Sequence, residues 1–215
     1  MRAAHPIFSR FYARVSPQMD RGGVAEHRRQ LLSGLTGRVI DVGAGNGLNF
    51  SHYPPEVTSV VAVEPEPYLR ELAERNARRA AVQVEVVDGV ADRLPGGDAS
   101  YDAAVVSLVL CSVPDQESAL REIYRVVRPG GQLRFLEHVR ADKPVLRGVQ
   151  RVVDATVWPV FSGGCHTARD TAAAISDTGF EIVRFERLRF PDMPISLPSS
   201  PHILGAAVRP DPTGR

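Results

Sequence analysis

A glycine-rich turn directly follows a strand-like run in the first quarter of the chain. Residues 39–50 read VIDVGAGNGLNF, with glycines at positions 43, 45 and 47. Glycine allows positive φ and lets backbone N–H groups approach a ligand without a Cβ atom in the way. The third glycine comes one residue too early for the G-x-G-x-x-G turn that cradles a pyrophosphate. The motif therefore predicts a turn between a strand and a helix that faces some group other than a diphosphate.

An acidic residue ends the next strand-like run. Glu64 closes SVVAVE and lies 21 residues after Gly43. A carboxylate at such a position can accept hydrogen bonds from both hydroxyls of a ribose, so the two features together predict a nucleoside site. S-adenosylmethionine fits that site, with its amino-acid part along the glycine turn, its ribose on Glu64 and its adenine near the end of the third strand. The alternative is a tight turn that binds nothing.

Strand-like and helix-like segments alternate through most of the chain, which predicts an α/β fold with a parallel sheet and helices on both faces. Asp115 begins one predicted helix, which ends at a PGG turn, and Thr167 or Asp170 begins a later one. The segment VLRGVQRVVDATVWPVF predicts a helix that is broken at Pro159. The predicted strands are RVIDV, SVVAVEP, VQVEVVDG, YDAAVVSLVL, QLRFLEHV, EIVRFERLRF and HILGAAVR, of which the last two pair as an antiparallel edge.

Length and composition indicate one soluble domain. The chain has 215 residues and a formal net charge of +1, and 43% of its residues are hydrophobic, which is ordinary for a globular protein. No run approaches the roughly 18 apolar residues of a membrane span. We expect a single domain over 1–215, made of an N-terminal helical lid (1–35), a cofactor-binding core (36–140), an acceptor side with late helices and two strands (141–209) and a frayed tail (210–215).

The same composition argues against several kinds of partner. The basic clusters HRRQLL and RNARR are short and lie in helix-like patterns, so we interpret both as solvated helix faces and expect no nucleic-acid partner. The two cysteines, Cys111 and Cys165, are too few for a disulfide framework and favour a reduced, cytoplasmic setting. Neither H-x-x-x-H nor C-x-x-C occurs, so the spacing predicts no metal site. The sequence leaves the oligomeric state open.

Several of these segments resemble one known family. VIDVGAGNG, VVAVEP, DAAVVSLVLCSV and LREIYRVVRPGGQLRFLEHV resemble the successive motifs of class I S-adenosylmethionine-dependent methyltransferases, and the RVVRPGG turn resembles their small-molecule branch. LVLCSV, FLEHV, GGCHTARDT and PHILGAAV resemble the thiol methyltransferases called methyltransferase-like type seven in animals, and their bacterial relatives. The resemblance covers about residues 36–209. It implies a Rossmann-like seven-stranded sheet, mostly parallel with one antiparallel edge strand, and S-adenosylmethionine as cofactor.

The resemblance also implies which residues bind the cofactor. Many relatives carry an acid where this chain has Val90, so the adenine contact falls to Asp88 or to the backbone beside it. In the N-terminal lid, Tyr12 either covers the cofactor or only packs within its helix. The implied positions are Asp41, Gly43, Ala44, Gly45, Asn46 and Gly47 in the first motif, Glu64 and Pro65 at the ribose, Asp88, Val90 and Ala91 at the adenine, Ser107 and Leu108 at the methionine portion, and Tyr12 above them.

The sulfonium of the cofactor is already activated, so the enzyme mainly has to position and orient the methyl acceptor. The chemical class of that acceptor is therefore what the sequence must indicate. Methylases of nucleic-acid bases or of protein glutamine usually carry a [D/N]-P-P-[F/Y] sequence after the fourth strand. This chain has SLVLCS there, without an acid or amide to hold an amine. A thiol needs only an apolar pocket and one base or cation nearby. We therefore expect S-methylation of a small molecule by direct displacement. The alternatives are O-, N- or C-methylation of a metabolite or quinone, and a module that binds the cofactor without turnover.

Four residues are candidates for the acceptor side. His138 follows the fifth strand, at the carboxyl end of the sheet, and an imidazole there can take the proton of a thiol. The alternative is a histidine with a structural hydrogen bond. Cys111, Trp158 and His166 are candidates for the pocket wall together with His138, against the plain alternatives of core packing for Cys111 and Trp158 and of a turn cap for His166.

Overall fold

The computed structural model describes residues 6–156, 158–191 and 197–211, with the side chain of Val160 not included. Most of the predicted tail 210–215 lies outside the described residues, as do the first five residues of the predicted lid and residues 192–196 of the connection before the last strand.

Seven strands form one mixed sheet: β1 (Gly37–Val42), β2 (Val57–Val63), β3 (Val84–Val87), β4 (Tyr101–Ser107), β5 (Val127–His138), β6 (Glu181–Arg189) and β7 (Pro201–Val208). Their order in the sheet is β3-β2-β1-β4-β5-β7-β6. Strands β1 to β5 pair in parallel, and β7 runs antiparallel to both of its neighbours, β5 and β6. This confirms the predicted fold class and places the reversed strand second from the edge, with β6 outermost.

Helices connect the strands, and two of them begin directly after an aspartate whose side chain caps the helix. Asp115 accepts a hydrogen bond from Ser118 N and Asp170 accepts one from Ala173 N, so that Asp170 is the cap of the last helix. None of the described helices combines the length and apolarity needed to cross a bilayer. The helices are α1 (Pro6–Met19), α2 (Ala25–Leu32), α3 (Pro67–Ala77), α4 (Gln116–Val126), α5 (Pro144–Asp154), α6 (Trp158–Phe161) and α7 (Thr171–Asp177).

Two boundaries differ from the sequence prediction. The PGG turn does not end the fourth helix, because β5 already begins at Val127 and includes the turn. The predicted break at Pro159 also lies earlier in the chain, since α5 ends at Asp154. Pro159 stands in the first turn of α6, where a missing N–H group costs no helical hydrogen bond.

The core lies in two layers, one on each face of the sheet. Neighbouring residues of β1 point to opposite faces, so Val39 joins one layer and Ile40 the other. Leu31 of α2 lies in the first layer, and Ile123 of α4 in the second. Because β1 to β5 are parallel, their carboxyl ends meet at one edge of the sheet, where ligands of open α/β sheets bind.

Candidate cofactor and acceptor site

The glycine turn stands at the carboxyl end of β1 and needs its glycines for space and conformation. Gly43, Gly45 and Gly47 have φ values of 68°, 58° and 79°, which side chains rarely tolerate. A Cβ atom on Gly43 would lie 2.6 Å from the Cγ2 atom of Val109. The turn is fixed to the neighbouring strand, because the N–H groups of Gly43 and Ala44 both donate to the carbonyl of Val63.

Glu64 brings its carboxylate from the end of β2 to this turn. Its Oε2 accepts a hydrogen bond of 2.8 Å from Gly45 N, and its Oε1 accepts one of 2.9 Å from Glu66 N. Burial raises the pKa of Glu64, and these two N–H groups oppose that shift. Pro65 separates Glu64 from the start of α3. The acid therefore lies against the glycine turn, where the predicted ribose contact requires it.

Asp41 lies beneath the turn and supports it from the protein side. Its carboxylate accepts hydrogen bonds from Asn49 Nδ2 and from the hydroxyl of Tyr53. Burial raises the pKa of Asp41 to about 6, while these two hydrogen bonds act in the opposite direction. The carboxylate therefore fixes the segment that follows the glycines.

Helix α1 covers the turn on its outer side. The ring of Tyr12 lies over Gly45, where a Cβ atom would approach its Cε1 to 3.4 Å. Asn46 donates from Nδ2 to the hydroxyl of Ser16 at 3.0 Å. The helix Pro6–Met19 is thus in contact with the glycine turn.

Arg28 lies at the site, although the pattern of its cluster HRRQLL predicts a solvated helix face. That prediction is wrong for Arg28, which is buried. Its guanidinium donates to Asp20 Oδ1 at 3.0 Å, to Asn49 Oδ1 at 2.7 Å and to the Ser107 hydroxyl at 3.3 Å, and it also interacts with the Tyr12 hydroxyl. The helical spacing of α2, with Leu31 and Leu32 buried, is the signal that could have placed Arg28 on the inner face.

The residues expected near the adenine lie at the end of β3. Asp88 forms an ion pair with Arg70 at 3.2 Å, and Arg70 also donates to the carbonyl of Glu64 at 2.8 Å. Val90 forms an isolated bridge with Arg93, and Ala91 lies against the core. Arg70 thus connects the end of β3 with the predicted ribose acid.

A buried carboxylate organises the segment after β4. Leu108 follows Ser107 with a φ of 61°, a strained conformation for a residue other than glycine. The next three backbone N–H groups, those of Val109, Leu110 and Cys111, donate to the carboxylate of Glu137 at 2.9 to 3.1 Å. Burial raises the pKa of Glu137, and the three N–H groups oppose the shift.

Two cysteines and a histidine meet beside this segment. The Nδ1 atom of His138 lies 3.7 Å from the Sγ of Cys111 and 3.4 Å from the Sγ of Cys165. The ring of His202 lies against that of His138, with 4.3 Å between the ring centroids. The expectation of no metal site depended on spacing along the chain. Spacing along the chain does not reveal this cluster, because the three side chains come from three separate segments.

The other two acceptor-side candidates lie in the adjoining segments. His166 Nδ1 lies 2.8 Å from the carbonyl oxygen of Gly164, which matches the turn-cap alternative. The Nε1–H group of Trp158 is buried and has no hydrogen-bond partner among the described residues. A cavity of about 10 Å³ reaches His202, whose ring packs against His138. It is lined by Met19, Val24, His27, Leu108, Leu136, Leu188, Phe190 and His202.

The fold and the site place the chain among known enzymes. A family model described as a methyltransferase domain matches residues 40–135. The human thiol S-methyltransferase TMT1A is 33% identical in an alignment of 198 residues that covers 86% of this chain and 80% of that protein. The ubiquinone/menaquinone biosynthesis C-methyltransferase UbiE of Escherichia coli (strain HS) is 29% identical in an alignment of 175 residues that covers 70% of this chain and 68% of that protein. A putative methyltransferase from Bacillus halodurans has a similar structure, with a TM-score of 0.70, 18% identity, and 88% and 99% of the two chains covered.

The chain therefore belongs to the class I S-adenosylmethionine-dependent methyltransferases. Within that class it stands close to the thiol methyltransferase group. It is an enzyme that uses S-adenosylmethionine as its cofactor. The residues present fit this cofactor, because a buried carboxylate, Glu64, lies against a glycine turn at the carboxyl end of the sheet.

The raised pKa of Asp41 predicts a pH dependence of stability. An acid with a folded-state pKa of about 6 and an ordinary value of 3.8 stabilises the fold below about pH 4. That contribution is lost as the pH rises through 6, and it amounts to about 3 kcal/mol at most. Asp41→Asn carries no titrating group, so the free energy of unfolding of the variant should rise relative to wild type between pH 4 and 7. Urea denaturation at several pH values measures this difference.

Asp102→Asn is the matched control for that experiment. The backbone N–H of Arg38 lowers the pKa of Asp102, and Arg128 adds to the effect. Its stabilising contribution is therefore present at neutral pH and is lost as the pH falls. Because its pKa lies below the ordinary value of 3.8, the difference between this variant and wild type should stay constant between pH 4 and 7 and should change only at more acidic pH. A difference for Asp41→Asn that stays constant over the range would contradict the pKa shift.

Proposed function

We propose that this enzyme transfers the methyl group of S-adenosylmethionine to the sulfur of a small thiol. The observation that carries the proposal is the similarity to the human thiol S-methyltransferase TMT1A over most of both chains. The acceptor end supports it, because the segment from Val109 to Cys111 offers apolar and sulfur side chains. The similarity to the C-methyltransferase UbiE favours methylation of a quinone ring carbon as the second candidate.

The chain's own residues would bind the two ends of the cofactor. Glu64 accepts hydrogen bonds from the ribose hydroxyls, while its contact with Gly45 holds the carboxylate in place. Arg28 stands beside Ser107 and Tyr12, and we assign it to the carboxylate of the methionine portion. Helix α1 covers the glycine turn and keeps water out. The cofactor supplies a methyl group on a positively charged sulfur, so the main task of the protein is alignment.

His138 remains the candidate for accepting the thiol proton. It stands at the carboxyl end of β5, and its Nδ1 atom faces the two cysteine sulfurs. The buried ring of His202 supports it from one side. His202 itself cannot share this task, because burial lowers its pKa to about 3 and its Nδ1–H donates to the carbonyl of Ser200.

The acceptor class is tested with matched substrates. Benzenethiol, phenol, aniline and a hydroquinone share a ring and differ in the atom that can be methylated. With labelled S-adenosylmethionine and purified protein, we expect label on the thiol sulfur and none on oxygen or nitrogen. Mass spectrometry of the products locates the methyl group. Label on the hydroquinone ring carbon, without any on sulfur, would instead support the quinone candidate.

Glu64→Gln should weaken binding of every ligand that carries the ribose. The variant keeps the side-chain volume and loses the charged acceptor, so affinity should fall about 10- to 100-fold. Isothermal titration calorimetry with S-adenosylhomocysteine and with 5′-methylthioadenosine measures this loss, which should be equal for the two ligands. Glu85→Gln, at an exposed position of β3, is the control. An unchanged affinity in Glu64→Gln would argue against the ribose contact.

Arg28→Lys should lower the affinity for one of the same two ligands and leave the affinity for the other nearly unchanged. Lysine keeps the buried charge but loses the forked geometry that binds a carboxylate through two N–H groups. Affinity for S-adenosylhomocysteine should therefore fall by about tenfold or more. Affinity for 5′-methylthioadenosine, which has no amino-acid portion, should stay within about twofold of wild type. An equal loss for both ligands would show that Arg28 only supports the fold of the site.

A further inference from the structure

Three ligand-type side chains from distant segments meet at the carboxyl end of the sheet. Cys111 follows β4, His138 ends β5, and Cys165 lies in the loop before α7. Their ligand atoms all lie within 4.8 Å of one another. We propose that these three side chains bind a zinc ion whose fourth position takes the sulfur of the acceptor thiol. The second half of this statement rests on the proposed thiol methylation, whereas the first half does not.

The separations suit tetrahedral coordination. Zinc lies about 2.3 Å from sulfur and about 2.0 Å from nitrogen, which at tetrahedral angles puts sulfur and nitrogen roughly 3.5 Å apart. The Nδ1 atom of His138 lies 3.4 Å from one sulfur and 3.7 Å from the other. An ion can therefore enter between the three atoms with only small movements of the side chains.

The backbone around the cluster is fixed independently of any ion. The N–H of Cys111 donates to the buried carboxylate of Glu137, and its carbonyl accepts from the N–H of His166 at 2.8 Å. Gln150, which is fully buried, donates to the carbonyls of Val139 and Thr167 and so connects the end of β5 with the loop of Cys165. These contacts hold all three ligand-bearing segments together, as a preformed metal site requires.

The charge of the cluster also suits a divalent cation. Two thiolates and a neutral imidazole cancel the charge of Zn²⁺, which lowers the cost of burying it. Cys111 and Cys165 are both buried, and no disulfide joins them. The Nε1–H of Trp158 forms no well-shaped hydrogen bond among the described residues, but it lies close enough to interact with the sulfur of Cys165. A metal-bound thiolate is an acceptor for such a donor.

An ion at this place would prepare the acceptor. Three protein ligands leave one tetrahedral position open, and His138 is only partly buried. Because His138 is then a ligand of the ion, an acceptor thiol that binds there releases its proton to solvent, in place of the transfer to His138 proposed for the metal-free site, and stays as a thiolate. The thiolate sulfur forms its bond to the methyl carbon while the bond from that carbon to the sulfonium breaks. The products are S-adenosylhomocysteine and a neutral thioether, which is a weaker ligand and leaves the ion.

Metal binding is tested without reference to turnover. The full-length protein is treated with a chelator and titrated with Zn²⁺ in competition with a chromophoric chelator. We expect one equivalent to bind tightly in wild type and in His166→Gln, the matched control from the same loop. Cys111→Ser and Cys165→Ser should each bind at least about 100-fold more weakly. No binding to wild type, or equal binding to all four proteins, would overturn the proposal.

A second measurement needs no cysteine variant and also tests the acceptor. The chain has two cysteines, so Zn²⁺ should slow alkylation of both thiols in the wild-type protein, as measured by mass spectrometry. With Co²⁺ in place of zinc, the sulfur-to-cobalt absorption should appear and should shift when benzenethiol is added, but not with phenol. An unshifted spectrum would overturn the acceptor position. Full thiol methylation by the metal-free protein would also overturn the acceptor position on zinc, and it would leave the proposed thiol methylation intact. Failure of the zinc-bound protein to methylate any thiol would refute the proposed thiol methylation alone.

Discussion

Buried carboxylates at the carboxyl ends of three parallel strands are the interaction on which this site depends. Asp41 lies near the end of β1, Glu64 follows β2 and Glu137 lies near the end of β5, with exposed fractions of 1%, 5% and 0%. A buried carboxylate is costly unless donors surround it, and here the donors come from the loops that form the site. Each acid therefore ties one functional loop to the rigid sheet, and the loops gain a fixed shape from groups that need not touch a ligand.

The sequence was sufficient for the fold because the signals were local. Apolar strands, the glycine turn and the capping residue Asp115 each act within a few neighbours, and the seven-stranded sheet was predicted from them. Glu64 is predicted to contact a ribose from its position at a strand end, and in the structure its carboxylate accepts a hydrogen bond from Gly45 of the turn. The inner position of the reversed strand was not predicted, since strand order depends on long-range pairing that no local pattern encodes.

The site was less predictable where residues meet across the sheet. Arg28 looked like part of a basic, solvated helix face, and only the packing of α1 and α2 on the sheet shows that it is enclosed by Asn49 and Ser107. The same limit applies to Cys111 and Cys165. They are 54 residues apart in the sequence, and their approach depends on the loop before α7 docking on the turn after β4.

The distribution of charge at this edge of the sheet bears on the acceptor. Glu64 and Glu137 have their carboxylate oxygens committed to backbone N–H groups, so neither is well placed to remove a proton from an acceptor. What faces the acceptor end instead is an imidazole, His138, beside two cysteine sulfurs. An alcohol holds its proton too strongly for such a set of groups, whereas a thiol, with a pKa of about 8.5, loses it readily near neutral pH. The local chemistry thus supports a sulfur acceptor for a physical reason that is separate from sequence similarity.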